Sequence, residues 1–234
     1  MNDSQSMFRI FCNAPEFAAA FDEIRSMLRE RRGEVLRDAM DHPTRARLIL
    51  KTKIAGVPVV IKHELFIFRF DRSLKAFLCG SDARNIFLLS ERARERGFRG
   101  IPRTFLVAER FSRGVLRETI SATEFLEGES PSLPCSRETQ DAIAALMREC
   151  HARGIISGDV CPDNFLLTRE GAKLIDFRGG KVFPCLAKAR DRLQLERVFG
   201  IPNRSRGLPE KIFTAQHALR NLGRRLRGKE QTRD

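Results

Sequence analysis

The sequence contains no tryptophan and no tyrosine, although it carries eighteen phenylalanines. A phenolic hydroxyl is therefore unavailable as a catalytic acid or as a self-phosphorylation site, and aromatic packing falls to Phe alone. The six cysteines (Cys12, Cys79, Cys135, Cys150, Cys161, Cys185) stand apart, with no C-x-x-C pair. Metal-site spacing is thus absent, a disulfide framework is not expected, and reduced thiols in the cytoplasm are the simple reading. No basic n-region followed by an apolar run opens the chain, so a secretory signal is not expected. Long hydrophobic runs are lacking too. The best stretches, Val57–Ile61 and Leu65–Phe68, are far too short to span a bilayer.

What the chain does have is positive charge. Lys and Arg number 43 against 30 Asp and Glu, a formal balance of +13 over 234 residues. Such a surface draws anions, and nucleic acid, an anionic membrane face and a phosphorylated glycolipid all qualify. Hydrophobic residues at 42% argue against wholesale disorder, and the length suits one domain or two small lobes.

The apolar pattern changes along the chain. Phe17, Phe21, Ile24 and Leu28 share one helical face, which predicts a helix over 14–32 ended by Gly33. Strands are expected over 34–39, 46–54 and 57–65, the last two joined by a tight Ala55-Gly56 turn. A helix over 81–96 follows, opened by Ser81-Asp82, then strands over 104–109 and 119–126. The Gly-, Ser- and Pro-bearing stretch 127–134 reads as a linker, and a second clear helix runs from 136 to about 152. The expected organisation is an N-terminal helical extension (1–33), a strand-rich lobe (34–127) and a mostly helical lobe (128–234).

Chemistry concentrates after the second helix, in Ser157-Gly158-Asp159-Val160-Cys161-Pro162-Asp163-Asn164 and then Leu174-Ile175-Asp176-Phe177. Phosphoryl transfer needs a carboxylate beside the attacking hydroxyl, oxygen ligands for Mg²⁺ and a cation on the nucleotide phosphates. Asp159 and Asn164, with four residues between them, and Asp176 following a short apolar strand, match D-x-x-x-x-N and D-F of a kinase catalytic loop. Val59-Val60-Ile61-Lys62 puts a lysine on the third strand, where kinases hold the phosphate-contacting one. Any of these alone is a turn or a solvated lysine; the order and the linker between them give the pattern its weight.

Several kinase features are missing. Ser157-Gly158 stands where His-Arg would precede the Asp, and no A-P-E follows. This predicts an enzyme without a phosphorylated activation switch. No Gly-rich loop is present, so phosphates would rely on Thr44, Arg45 and backbone amides. Where a helix Glu would pair with Lys62, the sequence offers Asp82, Arg84 and Asn85, and Glu91 comes late.

Three stretches, Gly154–Asp159 with Asn164-Phe165, Leu174–Asp176, and Ala189–Arg197 with Phe199–Ile201, resemble the lipopolysaccharide core heptose(II) kinase family (WaaY/RfaY type). The resemblance implies a compact two-lobed protein-kinase-like α+β fold, with a small antiparallel-sheet N-lobe and a mostly helical C-lobe. It implies use of ATP and Mg²⁺ to phosphorylate a heptose hydroxyl of the inner core. Carried over by position, Asp159 is the catalytic base, Asn164 and Asp176 hold metal, and Lys62 contacts phosphates. Backbone groups of Glu124 and Leu126 read adenine, and Asp191 anchors the catalytic loop. The implied partners are ATP, a glycolipid acceptor and an anionic membrane surface at the inner face of the cytoplasmic membrane, with no specific nucleic acid. Arg178, Lys181, Lys188 and Arg190 lie where an acceptor would sit, and the tail from residue 212 offers a basic amphipathic helix. Two other readings share the loop: a small kinase of the tRNA-threonylcarbamoyl machinery, and a non-catalytic kinase-fold anion-binding protein. The former usually shows His before Gly-Asp, where this chain has Ser157.

Overall fold

A computed structural model describes residues 7–41, 45–66, 81–178, 184–203, 205 and 207–215. The chain divides into two compact units, Met1–Gly128 and Glu129–Asp234. The class is α+β, as the sequence pattern predicts.

The first unit is built on a six-stranded antiparallel sheet in the order β1-β5-β6-β4-β3-β2. Its strands are β1 (Phe8–Cys12), β2 (Glu34–Ala39), β3 (Arg45–Ile54), β4 (Val57–Phe66), β5 (Thr104–Ser112) and β6 (Val115–Glu124). The β3–β4 hairpin closes at Ala55-Gly56 (φ +49°, +80°) and β5–β6 at Arg113-Gly114 (φ +51°, +76°). Positive φ at both central residues matches the twist of the flanking strands, which is why a two-residue loop suffices.

The helix expected over 14–32 is two helices, α1 (Pro15–Ala19) and α2 (Phe21–Glu30), broken at Ala20. The break serves packing. Phe17 stacks on Phe105 (4.4 Å, 5° between planes), whereas Phe21 meets Phe8 edge-on (5.3 Å, 71°). Phe17, Phe21, Ile24 and Leu28 enter one core with Leu48, Leu50, Val59, Ile61, Leu106 and Ile120 of the sheet. The N-terminal helical segment is thus part of the first unit's core.

Strand β1 is absent from the sequence reading. Its residues show no clean alternation, and it exists because β5 offers an edge with Phe8 opposite Arg110 and Cys12 opposite Leu106. Helix α3 (Asp82–Glu95) packs on β5; Ser81 Oγ caps it by accepting the Arg84 N–H at 3.0 Å.

In the second unit, helix α4 (Arg137–Ala152) is capped by Ser136 and buries Ile143, Leu146, Met147 and Cys150, the stripe seen in the sequence. It packs against the hairpin of β7 (Phe165–Thr168) and β8 (Gly171–Leu174), which a 3₁₀ turn (Pro162–Asn164) introduces. Helix α5 (Pro184–Phe199) follows, with Phe199 edge-on to Phe165 at 5.3 Å. The stretch expected as a linker over 127–134 joins the second unit's hairpin: Glu129 pairs with Leu167 through backbone hydrogen bonds of 3.1 and 2.8 Å.

Candidate active site

The loop that leads from Ile156 to the 3₁₀ turn is irregular backbone over Ser157–Cys161, yet Ile156, Ser157 and Gly158 are buried. Buried amides need acceptors, and Asp191 of α5, itself fully buried, supplies them. Its Oδ2 accepts the Ser157 N–H and its Oδ1 the Gly158 N–H, both at 2.9 Å. The His151 imidazole, at the end of α4, lies 3.1 Å from the same Oδ2. Gly158 sits at φ +72°, a left-handed conformation that disfavours a side chain. That conformation accounts for glycine at this position.

Four further bonds fix the segment. Ser157 Oγ donates to the Asp159 carbonyl at 2.9 Å, and Asn164 Nδ2 donates to the same oxygen at 2.7 Å. The Ile175 N–H donates to the Asn164 carbonyl at 3.0 Å, and Arg178 N–H to the Ile156 carbonyl at 2.8 Å. Asp176 is therefore held in a short span, Ile175 to Arg178, pinned at both ends to the loop that carries Asp159 and Asn164. The β7–β8 hairpin, with Phe165 opposite Leu174, completes the bracket. The Asp159 and Asp176 side chains stay exposed, while Phe177 beside Asp176 is buried. Two exposed carboxylates and an amide on a backbone so braced can address a ligand without collapsing into the core.

The donor set suits magnesium. Mg²⁺ typically takes one or two carboxylates, keeps waters and shares substrate phosphates, so it needs no dedicated protein cage. Among the described residues no group of three or more His, Cys, Asp or Glu is gathered. The Asn164 amide has its nitrogen committed to the Asp159 carbonyl, which leaves Oδ1 as the end that could meet a cation.

Cysteines near the loop are poor nucleophiles. Burial pushes the Cys150 thiol up to about 12. Cys161, inside the loop, is raised by burial and then by the neighbouring Asp159 charge.

The family model described as "Lipopolysaccharide core biosynthesis protein (WaaY)" matches residues 21–229. The chain belongs to this family. A lipopolysaccharide core heptose(II) kinase WaaY of Escherichia coli (strain K12) is 30% identical over 167 residues, covering 69% of this chain and 70% of that protein. A second protein of that name, from Escherichia coli, is 32% identical over 163 residues, at 69% and 70% coverage.

The remaining expected site residues of this WaaY-family chain lie in the first unit. Lys62 is on β4, opposite Ile49 and Ser121, with its ammonium 3.8 Å from Glu64 Oε1. Glu124 ends β6. Its N–H donates to the Arg103 carbonyl (2.8 Å), and Phe125 N–H turns the other way, to Pro58 (3.1 Å). The Glu124 carboxylate accepts from Arg94 Nη2 (2.6 Å) and Arg103 N–H (3.0 Å), clasping α3 to the strand end just before Leu126. Among the expected acceptor-side cations, Arg178 is exposed and the Arg190 guanidinium lies 6.0 Å over Phe213. Thr44, Lys181 and the basic tail beyond residue 215 lie outside the described residues. Sequence reasoning missed His151, the Ser157 hydroxyl and the Arg94–Glu124 clasp. None has a spacing signature, because each depends on partners between 30 and 40 positions away or on a single turn.

Proposed function

We propose that the chain is an ATP-dependent kinase that phosphorylates a heptose hydroxyl of the lipopolysaccharide inner core. The observation that carries this reading is the braced trio Asp159, Asn164 and Asp176, with both carboxylates exposed, in a member of the WaaY family. In this reading Asp159 accepts the proton of the attacking sugar hydroxyl as the new bond to the γ-phosphorus forms and the bond to ADP breaks. Asn164 and Asp176 would hold Mg²⁺, which neutralises phosphate charge when bound. Lys62 would contact the nucleotide phosphates, and backbone groups of Glu124 and Leu126 would receive adenine. The +13 charge suits a phosphorylated acceptor presented at an anionic membrane surface, where the protein would bind peripherally. No helix among the described residues is long and apolar enough to cross a membrane.

The test is transfer of the γ-phosphate of ATP to purified, dephosphorylated heptose-containing core by wild type and Asp159→Asn. Wild type should label the core only with Mg²⁺ present, and Asp159→Asn should lose at least about a hundred-fold in rate, the usual weight of a general base. Normal labelling by Asp159→Asn would remove the assignment. Transfer to no core acceptor, with copurification of tRNA-modification proteins, would turn the reading to that other small kinase.

A further inference from the structure

The sequence leaves Lys62 without an identified acid, and the structure supplies one from its own strand. Across the sheet, Arg47 of β3, Glu64 of β4, Thr119 of β6 and Glu109 of β5 stand directly opposite one another. Residues opposite in register share a face, and Lys62, two residues before Glu64, shares it as well. Glu64, Thr119 and Glu109 are buried there. A buried carboxylate has to be compensated, and two cations converge on one oxygen of Glu64. Arg47 Nε donates to Oε1 at 2.8 Å, and Lys62 Nζ lies 3.8 Å from the same atom. The Lys62 side chain keeps 29% of its surface against 7% for Glu64, so the lysine is the partner that reaches outward.

The acid that the sequence analysis found on the helix does something else. Glu91 lines a shallow depression with Arg94, Glu95, Arg99 and Arg103, at the C-terminal half of α3. Arg94 in turn is spent on Glu124.

We propose that Glu64 is the positioning residue for Lys62. This rests on the reading of Lys62 as the phosphate-contacting lysine. A lysine on a flexible four-carbon stem gives up much rotamer freedom when it grips a phosphate. A fixed carboxylate two positions along the strand narrows that freedom beforehand. At 3.8 Å the pair is an ion contact longer than a hydrogen bond, so all three ammonium N–H groups stay available to phosphate oxygens. Arg47 holds the carboxylate in place from the neighbouring strand. Because Lys62 and Glu64 share one strand, their pairing needs no helix movement, in keeping with a loop that lacks an activation switch.

Calorimetry of ATP with Mg²⁺, together with steady-state kinetics on the core acceptor, tests this. Glu64→Gln keeps the volume and an acceptor for Arg47 but removes the charge. It should weaken ATP binding on the order of ten-fold, as loss of a charged contact does, with the acceptor KM unchanged. In a Lys62→Met background the same substitution should do nothing further to ATP affinity. Glu91→Gln should bind ATP as wild type does. If Glu64→Gln does not fold, Glu64→Asp, which retracts the charge by one methylene, should shift ATP affinity in the same direction by less. Unchanged ATP affinity, a full Glu64→Gln effect without Lys62, or an equal effect from Glu91→Gln would each overturn the proposal. Failure of the kinase reading looks different: wild type would bind no ATP, or would bind it and transfer nothing to the core.

Discussion

Asp191 accepts the backbone N–H of Gly158 on Oδ1 at 2.9 Å, across thirty-three positions of sequence. With Ser157 N–H on its other oxygen, the carboxylate holds the two amides that lead into Asp159. Replacing it by Ala strands both N–H groups in a buried site and takes the partner from His151. Asp191→Ala should therefore cost about 3 kcal/mol in urea unfolding, since each stranded amide carries a desolvation penalty of order 1–3 kcal/mol. Asp191→Asn keeps one acceptor oxygen and should cost less, roughly 1 kcal/mol. Both should lower kcat more than KM, because what moves is the position of Asp159. A stability change with unaltered kcat would separate the anchor from the chemistry.

Gly158 offers a second probe of the same loop. Ala at φ +72° meets steric strain of about 1–2 kcal/mol. Gly154, at φ +78° and with open space where a Cβ would lie, is the reference for that strain away from the loop amides. Gly158→Ala and Gly154→Ala should lose similar stability by thermal unfolding. Only Gly158→Ala should reduce turnover, because relief of its strain shifts the Asp159 backbone.

How much of this was legible in the sequence follows from where the determinants lie. Asp159, Asn164 and Asp176 stand out because the motif that joins them lies within twenty residues of sequence. The hairpin at Ala55-Gly56 was equally plain, since a two-residue turn between β-rich runs is a local signal. Arg113-Gly114 is the same device, and β6 begins at Val115 directly after it, four residues before the expected strand. Strand β1 and the α1–α2 break depend on β5 and on Phe8 and Phe105, which no local pattern reports. Lys62 is singled out by its strand motif, whereas nothing local marks Glu64 beside it. The register that puts Arg47 opposite Glu64 exists only once the sheet has formed.

Outside the site, Glu118 on β6 gives a pH prediction. Burial opposes its ionisation, but hydrogen bonds from His63 (2.8 Å) and Arg110 (2.7 Å), and their charges, prevail and hold its carboxyl below the ordinary value. A carboxylate with a lowered folded-state pKa contributes stability above its unfolded pKa and loses it as pH falls through the folded one. Wild-type stability should thus fall as pH drops below about 4.3, the ordinary range of a glutamate. Glu118→Gln should show a flatter profile across that acidic window and a lower plateau near neutral pH. Denaturant unfolding at a series of pH values measures both; parallel curves would sink the assignment.

The last prediction divides the two jobs of Asn164. Its Nδ2 holds the Asp159 carbonyl at 2.7 Å, and its Oδ1 is the end offered to a cation. Asn164→Ala removes both and should abolish Mg²⁺-dependent ATP binding along with turnover. Asn164→Asp keeps an oxygen for the cation but turns an acceptor toward the Asp159 carbonyl, where a donor is needed. Two acceptors facing each other repel, and the lost hydrogen bond alone is worth about 1 kcal/mol. Asn164→Asp should therefore retain metal-dependent ATP binding in calorimetry while kcat falls about ten-fold or more, the scale of a misplaced general base. If Asn164→Asp instead lost ATP binding and kept its turnover per bound nucleotide, the amide would matter for the cation alone, and its bond to Asp159 would be incidental to catalysis.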